Sequence, residues 1–490
     1  MSTKNTGTRV MFASLAVLFL TYAFAPAAFA QNKEMPLTGS KEAVALFMQG
    51  REKTENLEDP GTLFEQAIQK DPNFAVAYLF AGRSNQEFRK NVEKAVALAD
   101  KVSPGEKEWI LSVRDQLDGN TAGRTAHLEQ LVKLYPGDKR AHTLLAAYYR
   151  SIGDDAAGLQ HFQDAVKIDK NYAPAYNDIG YSYIAMGKFP DAEAAFKTYI
   201  TLIPKNANPY DSYAELLMRM GKYDDSIVQY NKALAIDPTF FNSYRGVGNN
   251  YVYKGDYTKA REHYQKMYDK APDDAGRDLA LVAIVDSYIS EGNMDKAIEA
   301  NDRRRAMADK AGDIQTQIGI DTLAGFVLLE NGKTDDAAMQ FAMADKLRAD
   351  PSLPAALSTN RKVNSMLNSA RLMIAKGDFD AARKQLDEAG QMVSTLKNQN
   401  LERSLNETYG ILELKQKNYP KAIERFAKAD QTSPYVWYHQ AAAYEGSGDT
   451  KKAMTLYGKV TEWNQLDDPG QALVRPKAMA KVSASAKGPK

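Results

Sequence analysis

The side chains in this sequence that could do chemistry are few. His127, His142, His161, His263 and His439 are its only histidines, and imidazole is the side chain that both moves protons near neutral pH and ligates metals. Of these, His142 and His161 alone fall within one repeating helical hairpin, so they could lie near each other. A zinc-type centre needs three or four protein ligands, and spacing supplies no third, so packing or surface roles are expected and no metal is predicted. The string Asn331-Gly332-Lys333-Thr334 has the ending of a phosphate-binding loop. That loop needs a glycine where Val327 stands, and a strand before it, whereas Thr322–Glu330 reads as helix. Gly246-x-Gly248 lacks the third glycine of a dinucleotide fingerprint. Asp224-Asp225 and Asp335-Asp336 could act as paired carboxylates, but they begin helical segments, where negative charge meets the positive end of the helix dipole. Neither a G-x-S-x-G elbow nor an H-E-x-x-H helix occurs, and there is no cysteine. The reading is therefore of a protein that is not an enzyme, with no catalytic residue and no cofactor.

Composition narrows the partners. The 490 residues carry 63 Lys and Arg against 62 Asp and Glu, which leaves no general basic surface of the kind nucleic-acid binding requires. No nucleic-acid partner is expected. The absence of cysteine also excludes disulfides and thioether lipid anchors. At the N-terminus, Lys4 and Arg9 precede an apolar run from Val10 to Ala25, and Ala28-Phe29-Ala30 follows Pro26. A basic start, a short apolar core and an A-x-A exit describe a secretory signal peptide cut after Ala30. The run is shorter than the ~20 residues that span a bilayer, and no second long apolar stretch follows. A periplasmic or secreted chain without stable membrane insertion is predicted.

Those few reactive side chains must be carried by elements that repeat. Tyr176, Ile179, Gly180, Tyr183, Gly187, Ala192, Phe196 and Pro204 recur 34 residues later as Tyr210, Tyr213, Ala214, Leu217, Gly221, Ser226, Tyr230 and Pro238. They recur once more as Tyr244, Val247, Gly248, Tyr251, Gly255, Ala260, Tyr264 and Pro272. The i, i+3, i+4, i+7 spacing puts the first four on one helix face. Ala192, Ala195, Phe196 and Tyr199 do the same on a second helix. Gly187 stands where helices end in a left-handed residue, and Pro204 stops the second helix.

This pattern resembles the tetratricopeptide repeat family. Twelve units begin near Lys41, Ala75, Gly105, Lys139, Ala173, Ala207, Phe241, Asp278, Ile318, Val363, Arg403 and Pro434. Nine carry glycine at the fifteenth position: Gly119, Gly153, Gly187, Gly221, Gly255, Gly292, Gly332, Gly377 and Gly448. The resemblance implies an all-α solenoid, a right-handed superhelix of helix-turn-helix repeats. The expected organisation is a signal peptide over 1–30, a linker over 31–40 and a regular array of about seven units over 41–274. A second array of about five longer, irregular units covers 275–467, and a basic, disordered tail covers 468–490. Ala275-Gly276 marks the joint between arrays that stack continuously.

In this family the first helices line the concave side, and positions two, five, nine, twelve and thirteen of each unit face the groove. Carried residue by residue, this implies a partner-binding surface of Asn177, Tyr181, Asn208, Asp211, Glu215, Arg219, Asn242, Arg245, Asn249 and Tyr253. Asparagine donates and accepts at once, which suits a peptide backbone, and tyrosine offers apolar area plus a hydroxyl at low entropic cost. Arg245 and Asn249 resemble half of the clamp with which some members grip a terminal carboxylate. Val282 and Asp286 in the next unit leave that clamp incomplete. The function implied is an exported, non-enzymatic scaffold or adaptor for a protein or extended peptide. The alternative is a periplasmic binding protein for glycans or small ligands, with tyrosines as stacking platforms.

Overall fold

The computed structural model describes residues 34–82, 85–396, 398–465 and 469–486. The expected signal peptide and its cleavage point lie outside these residues, as do residues 487–490. The described residues form twenty-four α-helices and no strand. They order into twelve successive hairpins followed by one further helix, Pro469–Ala486. The second hairpin is the irregular one: a short 3₁₀ turn, Ala75–Leu79, stands where its first helix would be.

One hairpin shows why the repeat folds this way. Helix Ala173–Ala185 ends at Gly187, which has φ 71°, and helix Phe189–Leu202 returns antiparallel to it. The Gly187 amide bonds the Ile184 carbonyl, and the Lys188 amide bonds that of Tyr183, so the last carbonyls of the helix are satisfied by the turn itself. Phe196 on the second helix is fully buried, and burying a ring of this kind stabilises by roughly 1.5–3 kcal/mol. It lies against Gly180 so closely that a Cβ there would stand 2.5 Å from the ring. The glycine is thus fixed by packing and the turn glycine by backbone conformation. All nine glycines at the fifteenth position have positive φ.

The chain divides into two compact units, one containing Asp59–Lys170 and the residues before Thr54, the other Thr54–Glu58 and the residues from Asn171 onward. The boundary between these units falls at Lys170–Asn171. Around residue 275 the stacking is uninterrupted, because helix Asp274–Glu291 buries Leu281, Ile284 and Val285 in the same core as Val252 and Tyr264. The longer helices extend the hairpins without parting them.

In the first unit, Phe47, Phe64, Phe74, Phe80 and Trp109 form a chain of edge and stacked contacts. Residues expected to be linker are strapped across this unit. The Met35 amide donates to Asp138 (2.8 Å), the Thr38 amide to Glu106 (2.9 Å) and the Ser103 hydroxyl to the Pro36 carbonyl (2.9 Å).

In the second unit, the stretch expected to be a disordered tail is helical over Pro469–Ala486. Ala472, Leu473, Val474 and Ala478 are buried against helices Asp274–Glu291, Pro434–Ser447 and Thr450–Glu462. Its basic residues are paired: Arg475 with the Trp463 carbonyl (2.7 Å), Lys477 with Glu330 (3.4 Å) and Lys481 with Glu445 (2.9 Å). The correction has a simple cause. This helix is outside the repeat, so its loss of 34-residue period signals a different packing partner and not a lack of one.

Candidate functional site: the row of first helices in the second unit

Helices Ala173–Ala185, Asn208–Arg219 and Phe241–Tyr253 are the first helices of three successive hairpins, and neighbours in this row touch directly. Their exposed turns point into one cavity of about 330 Å³, lined by Tyr181, Asp211, Glu215, Arg219, Asn242, Arg245 and Asn249 together with Met218, Tyr230 and Gln465. Seven of the ten residues that the family pattern placed in the groove thus converge, each contributed by the same face of its helix.

The polar groups in the cavity hold one another in place. Arg219 donates from Nε (3.0 Å) and Nη2 (2.6 Å) to one Glu215 oxygen, while the Tyr181 hydroxyl donates to the other (2.9 Å). Burial and the adjacent Glu215 raise the Tyr181 phenol well above its ordinary pKa, so it remains a donor. Ser243 donates to Asp211 at 2.5 Å. Asp211 is nonetheless pushed up to about 7, first by desolvation, with the Glu215 charge adding to it and the Ser243 bond opposing. The wall therefore offers a cation, an anion and a carboxyl that changes charge near neutrality.

Of the other three groove candidates, two are engaged elsewhere. Asn208 is buried and donates to the Tyr199 hydroxyl (3.1 Å). Tyr253 stacks on Tyr223 (5.5 Å) beneath the Arg475 guanidinium. Asn177 lies outside the cavity lining. Asn249 lines the cavity yet is also buried, with its carbonyl accepting from Tyr264 (2.7 Å). Asn208 at position two and Asn249 at position nine hence serve packing at least as much as recognition, because buried tyrosine hydroxyls need partners.

Sequence reasoning missed that the chain itself reaches this row. Asn464 accepts from Tyr223 (2.9 Å), donates to the Arg219 carbonyl (3.4 Å) and receives Arg475 (2.9 Å), and Gln465 closes one wall of the cavity. Asn464 and Gln465 stand at the very end of the last repeat, where the pattern assigns no groove position.

The strings that suggested other chemistry resolve into structure. Gly332 has φ 77° in the turn between helices Ile314–Glu330 and Thr334–Arg348, and Lys333 pairs with Asp295 (2.6 Å). Asp335-Asp336 and Asp224-Asp225 occupy first helical turns. Gly246 and Gly248 lie inside helix Phe241–Tyr253, each facing a tyrosine ring. His142 and His161 do meet, and Asp164 joins them. Among the described residues, no helix is long and apolar enough to cross a membrane.

A stack of helical hairpins with glycine turns and aromatic-on-glycine contacts defines a helical-repeat protein. The sequence patterns described as "TPR repeat" and "Tetratricopeptide repeat" match residues 214–249, and residues 173–206 and 434–465, respectively. These stretches are tetratricopeptide repeats, and the stacked all-α hairpins around them have the same architecture. Among solved structures it is similar to Pseudomonas aeruginosa PilF (15% identity, 43% of this chain and 93% of that one, TM-score 0.34). It is similar also to TTC0263, a TPR protein of Thermus thermophilus (20% identity, 37% and 99%, TM-score 0.33). A third is MamA from Desulfovibrio magneticus RS-1 (18% identity, 34% and 93%, TM-score 0.30). No curated protein matches the chain.

Proposed function

We propose that this protein is an exported, non-enzymatic adaptor that binds a protein or extended peptide along the first helices of its second unit. The observation that carries the reading is the convergence of Asp211, Glu215, Arg219, Asn242 and Arg245 from two neighbouring first helices, with Tyr181 of a third, on one cavity. Charges of both signs and an exposed amide match the alternating donors and acceptors of a peptide backbone. The glycan reading draws less support. Tyr181 packs edge-on against Phe196, Tyr230 is buried, and Tyr223 and Tyr253 stack on each other, so these rings are engaged within the protein.

The double variant Asn242→Ala/Arg245→Ala tests this. Both side chains are at the surface of the cavity, and helicity by circular dichroism should be unchanged. Capture of the partner from the cell-envelope fraction should fall about tenfold or more, as expected for loss of a central charged contact; undiminished capture would refute the site. Export is part of the proposal, and its signature is a mature chain whose intact mass begins at Gln31. A chain retaining Met1 in the envelope would count against it.

A further inference from the structure

Outside the cavity, the first unit holds a cluster that the adaptor role does not use. His142 is on helix Lys139–Ser151, and His161 and Asp164 share one face of helix Asp155–Ile168. Their ligating atoms all lie within 4.8 Å of one another. The His142 Nδ1 and His161 Nδ1 atoms face each other at 3.1 Å, while His142 Nε2 stands 3.1 Å from the Pro136 carbonyl. A carbonyl only accepts, so Nε2 carries the hydrogen and Nδ1 presents its lone pair. This is the outer-sphere arrangement that fixes a metal-binding imidazole in the right tautomer.

We propose that His142, His161 and Asp164 bind one first-row divalent cation of the zinc class, stapling the two helices of this hairpin. Two imidazole nitrogens each ~2.0–2.1 Å from a tetrahedral ion stand ~3.3 Å from each other, so the observed separation needs little adjustment. The ligand set of two imidazoles and a carboxylate suits zinc, cobalt or nickel, and leaves a fourth position for water. The Tyr149 ring stacks on His161 at 5.8 Å and 5°, restraining its plane, and the Tyr149 hydroxyl donates to Glu129 (2.8 Å). Both hydrogen bonds that Asp164 accepts, from Gln160 (3.1 Å) and Lys167 (2.7 Å), fall on Oδ1. Lys167 is the competing cation; Glu129 adds negative charge nearby.

The test uses the full chain purified without a histidine tag, titrated with Zn²⁺ by calorimetry and with Co²⁺ by visible absorption. One equivalent should bind, with the intense d–d bands of tetrahedral cobalt, and affinity should weaken as pH falls through the histidine range. His161→Gln should weaken binding by at least about 10–100-fold, a range that even outer-sphere partners command. Asp164→Asn, at a partly exposed position that the fold tolerates, should weaken it as well, and His263→Gln should not. Absence of saturable binding by the unaltered chain would overturn the proposal, as would full binding by folded Asp164→Asn and His161→Gln chains.

Discussion

At the scale of single residues, the turn between helices carries the clearest energetic signature. Nine units place glycine there with positive φ, whereas the unit beginning near Arg403 places Lys417 at the same position with φ 60°. The Lys417 and Asn418 amides make the same pair of bonds, to the Leu414 and Glu413 carbonyls, so the backbone is held left-handed although the side chain opposes it. A left-handed non-glycine residue costs roughly 1–2 kcal/mol, part of which glycine returns through its unfolded-state entropy. Lys417→Gly should therefore stabilise the protein by about 0.5–1 kcal/mol in urea unfolding. Asp211 supplies a second residue-level test. Its pKa is raised in the folded state to about 7, so the stability linked to its proton is fully present below the ordinary carboxylate range. That contribution is lost as pH rises through about 7. Asp211→Asn should flatten the decline in melting temperature between about pH 5 and pH 8, and raise stability at the upper end by on the order of 2 kcal/mol.

At the scale of elements, the C-terminal helix is the most informative. Val474 is fully buried and Ser483 exposed on helix Pro469–Ala486. Val474→Asp should destabilise the chain by about 3 kcal/mol or more, since a carboxylate cannot be buried unpaired. Ser483→Asp should stay within about 0.5 kcal/mol of neutral. Paired thermal melts decide this, because a solvated tail would tolerate both changes. The same helix marks the limit of what was legible in the sequence. The hairpins could be read in advance because each obeys a local rule: Gly187 ends a helix, Phe196 fills the space over Gly180, Pro204 halts the return. Helix Pro469–Ala486 obeys none of these, and its partners Glu330 and Glu445 are remote in sequence. The cavity was legible for the same reason in reverse, since Asp211, Arg219 and Arg245 sit at fixed register positions. Asn208 and Asn249 sit at equally fixed positions, but their tyrosine partners recruit them to the core.

At the scale of the molecule, hairpin stacking organises two compact units, and the described residues are devoted to repeats apart from a short N-terminal strap and one closing helix. On the proposed function, recognition runs along the row of first helices that lines the cavity. The His142–His161–Asp164 cluster lies in the first unit and the cavity in the second, so each can be altered alone. Site-specific photocrosslinking in the cell envelope tests the central claim most directly, with a photoreactive residue at Asn242 on a first helix or at Asn231, exposed on the second helix Tyr223–Ile236. A discrete adduct at position 242, and none at 231, is the predicted result. Equal adducts at both positions, or adducts at 231 alone, would contradict the assignment of binding to the first helices.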